Sequence, residues 1–300
     1  MSPEPFSTWM AGIQVRAEAA LGRLLPAASI APARLHDAMR YAALGGGKRV
    51  RPLLVFAAGE VAGADVDRLD IAASAVECIH AFSLVHDDMP CMDDDVLRRG
   101  RPTVHVEYDE AIALLAGDSL QTMAFQLLSE HRLTDDARAQ LEMVRILAKA
   151  SGSRGMAGGQ AIDLDAVGKT LTLAELEFMH IHKTGAVIRA AVGLGARCSG
   201  SNVLSDVELA QLDQYARYAG LAFQVVDDVL DCITPTATLG KTAGKDAANN
   251  KPTYVSLLGL AQAKQMAKQL RQQAVDSLSG FGERARRLTE LADFIVQREF

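Results

Sequence analysis

Apolar residues recur at spacings of three and four along most of this chain, and alternation at period two is scarce. An α-helix turns once in about 3.6 residues, so that spacing lays an apolar stripe along each segment for burial against a neighbour. The pattern predicts ten helices, over residues 6–24, 33–44, 52–62, 68–92, 107–130, 134–150, 172–199, 205–232, 253–279 and 282–298. Short breaks marked by Gly or Pro separate them. Three breaks combine flexible backbone with cations or amides: Gly45-Gly46-Gly47-Lys48-Arg49-Val50-Arg51-Pro52, then Gly152-Ser153-Arg154-Gly155-Met156-Ala157-Gly158-Gly159-Gln160, and Thr234 to Lys251. No repeat period stands out and the loops are too short for interdomain linkers. The expected fold is all-α, one domain over residues 1–300 built as a single large bundle of about ten helices.

Composition supports the helical reading. The chain is 49% hydrophobic but only 5% aromatic, so its apolar content is aliphatic and Ala-based, which suits packed helices better than a β-sandwich. A net charge of −6 argues against a general nucleic-acid binder, whose affinity comes from clustered Lys and Arg on phosphates. Any anion site must therefore be local. Cys78, Cys91, Cys198 and Cys232 show no Cys-x-x-Cys spacing, so the expectation is reduced thiols in the cytoplasm. No signal-peptide core and no membrane span are expected, since Arg189 interrupts the best apolar stretch, around Ala186 to Ala196.

Two acid-rich motifs carry the candidate chemistry. One is Asp87-Asp88-Met89-Pro90-Cys91-Met92-Asp93, trailed by Arg98-Arg99-Gly100; the other is Phe223-Gln224-Val225-Val226-Asp227-Asp228-Val229-Leu230-Asp231. Like charges this close repel, so each cluster calls for a cation, and a metal ion suits carboxylates best. At about 100° per helical residue, Asp227, Asp228 and Asp231 fall within one ~100° arc and can share a metal cluster. Their neighbours Val225, Val226, Val229 and Leu230 are apolar, surroundings that seldom hold an aspartate unless it is paired or coordinating. The first motif is less regular: on an unbroken helix Asp93 would lie about 120° from Asp87, and only the distortion Pro90 imposes brings them together. Arg98 and Arg99 offer forked donors for phosphate oxygens. Taken singly, Lys48 and Arg51 also read as loop charges, His80 as a core histidine and Lys183 as a snorkelling lysine at a helix kink.

In their order and spacing, these pieces resemble the trans-isoprenyl diphosphate synthases, or polyprenyl synthetases, over nearly the whole chain. The resemblance rests on Gly46-Gly47-Lys48-Arg49-Val50-Arg51-Pro52, Glu77-Cys78-Ile79-His80, the first acidic motif with Arg98-Arg99-Gly100, Gly155 to Gln160, Lys183-Thr184-Gly185, and Gly220-Leu221-Ala222-Phe223-Gln224 leading into the second acidic motif. The four residues between the aspartates and the Thr238-Leu239-Gly240-Lys241 loop look most like the bacterial farnesyl diphosphate synthase branch. The family implies a helical bundle around a central cavity, a homodimer, and Mg²⁺-dependent condensation of an allylic diphosphate with isopentenyl diphosphate. It further implies that Asp87 and Asp93 ligate two Mg²⁺ ions and that Asp227, helped by Asp231, holds a third. Arg98, Lys183 and Lys241 would bind the allylic diphosphate, and Lys48, Arg51, His80 and Arg99 the isopentenyl diphosphate; Lys251 would reach a phosphate on closure. Lys183, Thr184 and Gln224 form the expected catalytic group, Thr184 and Gln224 turning oxygen dipoles toward the allylic cation. Segment Thr234 to Lys251 is expected to order with ligand, and Arg298 to help close the site.

In this family bulky residues four and five positions before the first aspartate tend to floor the cavity for the growing tail; here they are Ser83 and Phe82. Phe82 lies about 7.5 Å along the helix axis from Asp87, and a C15 product is expected, with C10 as first alternative and C20 as second. A rival class is a di-iron carboxylate bundle, because Glu77-Cys78-Ile79-His80 and Glu177-Phe178-Met179-His180 are two Glu-x-x-His pairs on predicted helices. It leaves both aspartate clusters and the Lys48 loop without a task. A terpene cyclase, in turn, has no use for a metal-free site made of Lys48, Arg51, His80 and Arg99.

Overall fold

The computed structural model describes residues 4–198, 200, 203–233 and 252–297. Fourteen α-helices run through these residues, with one two-stranded hairpin and two short turns of other helix types. They are α1 (Phe6–Leu24), α2 (Ala33–Ala43), α3 (Val50–Ala62), α4 (Val66–Asp87), α5 (Val104–Glu107), α6 (Glu110–Glu130) and α7 (Ala137–Ser151). Then follow α8 (Met156–Ala166), α9 (Leu173–His180), α10 (Ala186–Gly195), α11 (Asp206–Ile233), α12 (Tyr254–Leu258), α13 (Leu260–Asp276) and α14 (Arg286–Gln297). Helices α4 and α6 pack together, α3 lies against α4 and α10, and α10 leads on to α11, which packs on α13. One apolar cluster runs through this stack from Trp9 to Ile295.

Side-chain caps place several of the helix starts. Asp65, Asp109 and Asp136 each accept a backbone N–H of their helix's first turn, and Thr172 and Thr253 form capping boxes with Glu175 and Ser256. Gly259, at φ 81, separates α12 from α13 inside the segment predicted as one helix over 253–279. Helix α8 occupies what the sequence reading treats as a flexible break. Its glycines serve packing: a Cβ on Gly159 would lie 2.1 Å from the Lys183 backbone nitrogen, and one on Gly158 would lie 2.0 Å from the Ser153 carbonyl oxygen. The predicted helix 172–199 is three pieces, because Ile181–Gly185 winds as a π-helix between α9 and α10.

Helices α4 and α6 are long and apolar enough to cross a membrane by length and composition alone, their most apolar windows reaching mean hydropathy 1.2 and 1.3. In α4, 72% of that window is buried within the bundle, the mark of a core helix. In α6 the share is 39%, and Leu114 and Leu115 lie on the surface.

Candidate active site

The two acidic motifs lie at helix C-terminal ends: α4 stops at Asp87, and Asp227 and Asp231 stand in the last two turns of α11. A helix C-terminus carries partial negative charge, so carboxylates there sharpen the need for a cation. The predicted helix over 68–92 ends at Asp87 because Pro90 cannot continue it. Beyond it the chain folds back, with Asp93 N–H donating to the Asp87 carbonyl at 2.9 Å and Asp95 N–H to the Asp88 carbonyl at 3.2 Å. The proline bend thus supplies the convergence that angular arithmetic denies. Burial pushes the Asp87 carboxyl up to about 6, opposed by Lys183 and reinforced by Asp93. Among the described residues no three or more His, Cys, Asp or Glu side chains gather as a ready ligand set.

Of the second motif, Asp227 lines a cleft of about 490 Å³ shared with Lys48, Arg51, His80, Leu84, Arg98, Arg99, Thr184 and Gln224. Asp228 corrects the shared-cluster reading of this motif. It is buried, accepting from the Gln224 amide at 3.0 Å and from the Tyr254 backbone N–H at 2.8 Å. The Thr184 hydroxyl donates to the Gln224 carbonyl at 3.2 Å, so Asp228 fixes the amide that meets Thr184. Sequence reasoning missed this role, although the apolar flanks of Asp228 are the signal for an inward carboxylate.

Two further carboxylates were missed. Asp88, 2% exposed, holds the Arg98 guanidinium with contacts of 2.6 to 2.9 Å. Asp163 on α8 takes the Lys183 ammonium at 2.6 Å. Gly159 lets α8 approach the π-helical turn that carries Lys183 and Thr184, so a bulge and a glycine together place these two residues.

The opposite wall is cationic. Burial drives the His80 imidazole well below its ordinary range, and Arg51, Arg99, Arg98 and Arg49 push it the same way. His80 is therefore neutral at pH 7 and sits in a strongly positive field, a setting for anions. Burial also lowers Arg51, against the pull of Glu77 and Asp227. Glu77 gives one carboxylate oxygen to Arg49 at 2.6 Å. His180 stacks on Tyr254 at 5.5 Å between ring centres, away from His80's cationic cluster.

The floor residues lie apart from the lining of this cleft. Phe82 meets His86 edge-on at 5.0 Å, and the Ser83 hydroxyl turns back to the His80 carbonyl at 2.8 Å. Lys241 and Lys251, with the Thr238 to Lys241 loop, the wider Thr234 to Lys251 segment and Arg298, lie outside the described residues.

The family model for polyprenyl synthetase matches residues 32–284. The chain belongs to the polyprenyl synthetase family. A farnesyl diphosphate synthase of Escherichia coli is 50% identical over 287 residues, covering 94% of this chain and 95% of its own length. Among solved structures, an FPP/GFPP synthase of Zymomonas mobilis in its apo state superposes with a TM-score of 0.87 at 41% identity, covering 97% of this chain and 98% of its own. A geranyltransferase of Helicobacter pylori, complexed with magnesium and isoprenyl diphosphate, gives a TM-score of 0.85 at 33% identity over 99% of this chain and 98% of its own. As a polyprenyl synthetase, the chain has the all-α bundle its sequence predicts.

Proposed function

We propose that this polyprenyl synthetase is a magnesium-dependent prenyltransferase that joins isopentenyl diphosphate to dimethylallyl and then geranyl diphosphate, releasing farnesyl diphosphate. The observation that carries the reading is one cleft with two poles. Asp227 lines a cleft with Lys48, Arg51, neutral His80 and Arg99, and Asp87, electrostatically coupled to Asp93 and to the cleft residue Arg98, adjoins it. A cyclase needs the first pole alone; chain elongation needs both.

Asp87 and Asp93 would hold two magnesium ions, and Asp227 with Asp231 a third. The buried Asp87 carboxyl beside Asp93 supports that assignment. Bound magnesium supplies Lewis acidity to the departing diphosphate. Lys183 and Arg98, oriented by Asp163 and Asp88, present their remaining N–H groups to the allylic diphosphate oxygens. The Thr184 hydroxyl and the Gln224 carbonyl oxygen face the allylic cation, and Asp228 keeps the Gln224 amide from rotating away. Lys48, Arg51 and Arg99 bind isopentenyl diphosphate without metal, and neutral His80 donates its ring N–H to a phosphate oxygen. The new bond joins the isopentenyl double bond to the allylic carbon, and loss of a proton restores an alkene.

Phe82 is assigned as the floor that stops the tail at C15, with Ser83 leaving space beside it. The continuous apolar cluster supports one domain over residues 1–300. The exposed Leu114 and Leu115 of α6 support a homodimer formed on that face, which sedimentation checks. Four free thiols, Cys91 and Cys232 of them exposed, support a cytoplasmic enzyme.

Incubation with dimethylallyl and isopentenyl diphosphates, followed by product mass determination, tests the reading. The expected outcome is a C15 diphosphate with Mg²⁺ and no elongation with chelator. A C10 or C20 product would reassign the floor, and no elongated product with Mg²⁺ would defeat the proposal.

A further inference from the structure

The triglycine loop adopts left-handed backbone at three consecutive residues, Gly45, Gly46 and Gly47, with φ of 101°, 87° and 111°, and Arg49 follows at 49°. Such a run forms no helix or strand ladder, so its polar backbone groups need other partners. Helix α1 supplies them. The Glu18 carboxylate accepts from Gly45 N–H at 2.7 Å and from Gly46 N–H at 3.4 Å, and its second oxygen takes the Arg49 guanidinium. One turn earlier, the Gln14 amide donates to the Lys48 carbonyl at 2.9 Å. Arg49 is buried, and its terminal nitrogens also donate to Glu77 at 2.6 Å and to the Ala43 carbonyl at 2.7 Å. Burial pushes the Glu18 carboxyl up, yet the Gly45 N–H and Arg49 outweigh it and hold the group below its ordinary range.

From these contacts we infer that Gln14 and Glu18 of α1 are positioning residues for the metal-free diphosphate site. Neither touches the cleft, and both lie ahead of the family match, which begins at residue 32. Gln14 and Glu18 are one helical turn apart and face the same loop, so α1 grips residues 45–49 at both ends of the left-handed run. Held there, the loop delivers Lys48 to the cleft and starts α3 so that Arg51, in its first turn, lines the same cleft. With Glu18 removed, two loop N–H groups lose their acceptor and buried Arg49 keeps one carboxylate of two. Lys48 and Arg51 then sample more positions, and the binding of the diphosphate they hold weakens. The allylic pole stands on α4, the π-helical turn and α11, and does not depend on this grip.

The inference rests on the assignment of Lys48 and Arg51 to isopentenyl diphosphate, and the experiment separates the two. Initial rates are measured against each substrate in turn for Glu18→Ala, Glu18→Gln, Gln14→Ala and, as reference, Lys48→Ala. Glu18→Ala is expected to raise KM for isopentenyl diphosphate about tenfold, the scale of one charge-assisted hydrogen bond, while kcat and the allylic KM stay within about twofold. Glu18→Gln retains an acceptor oxygen for the loop and should fall between Ala and wild type. Gln14→Ala, which loses one bond, should raise the same KM about threefold and answers the question should Glu18→Ala fail to fold. An unchanged isopentenyl KM in both Glu18→Gln and Gln14→Ala overturns the inference, as does an equal rise in both substrates' KM. If Lys48→Ala leaves the isopentenyl KM unchanged, the site assignment fails instead.

Discussion

Two alanine substitutions in the triglycine loop separate backbone strain from loss of a binding group. A Cβ on Gly46 meets nothing within 4 Å, whereas a Cβ on Gly47 would lie 2.8 Å from the Arg99 guanidinium carbon and 2.9 and 3.0 Å from its terminal nitrogens. Both residues have positive φ, 87° and 111°, so each substitution forces an L-residue into left-handed backbone at about 1–2 kcal/mol. Gly47→Ala must in addition displace Arg99, which otherwise donates to the Gly46 carbonyl at 2.8 Å. A guanidinium moved off a diphosphate forfeits roughly 1.5–3 kcal/mol, a factor of about 10 to 150 in affinity. Both variants should therefore melt lower by a similar amount, and Gly47→Ala alone should raise KM for isopentenyl diphosphate at least tenfold beyond Gly46→Ala. The assays are thermal unfolding and initial rates with each substrate varied in turn. Equal isopentenyl KM values for the two variants would refute the placement of Arg99 in that site, and so would an allylic KM that rises as far as the isopentenyl one.

Other substitutions probe the remaining walls. Asp163→Ala removes the partner of Lys183 at 2.6 Å and should raise the allylic KM severalfold while leaving the isopentenyl KM alone; the reverse pattern would place Lys183 elsewhere. Phe82→Ala should lengthen the product beyond C15, and an unchanged product profile removes Phe82 as the floor. Burial lowers the His180 imidazole to about 3, with Lys183 adding to the effect, and neither ring nitrogen has a hydrogen-bond partner. Its folded-state value lies below the unfolded one, so the unfolded chain binds the extra proton and stability falls as pH drops below about 6.5. This group costs about 2 kcal/mol between pH 7 and pH 5, and His180→Phe should remove that loss in urea titrations at the two pH values; parallel losses in variant and wild type would contradict it.

Helix content was legible because a burial stripe is a local property of the sequence. The first and last turns of α1 and α11 fall within a residue of their predicted limits. Departures occur where a distant backbone decides. Nothing near Gly158-Gly159 announces a helix, since those glycines answer to Ser153 and to Lys183 on another element. The π-helical turn at Ile181–Gly185 keeps the same apolar spacing as an α-helix and is invisible to periodicity. At the site, Asp87, Asp227, Arg98 and Arg99 could be nominated from type and spacing, and Lys48, Arg51, His80 and Lys183 only through the family resemblance. Asp88, Asp163 and Asp228 could not, because a carboxylate that orients a cation or an amide looks in sequence like one that binds a metal. Glu18 and Gln14 carried no signal, as their partners are backbone groups of a loop far along the chain.

The central claim is one cleft holding two diphosphates by different means, and calorimetric titration of each substrate with and without magnesium tests it most directly. A non-ionising allylic diphosphate analogue should bind tightly with Mg²⁺ and lose most of its affinity in chelator. Isopentenyl diphosphate, held by Lys48, Arg51, His80 and Arg99, should change its Kd by less than about twofold, since no charge-assisted bond to it is lost. Equal dependence on Mg²⁺ for both ligands would contradict the account.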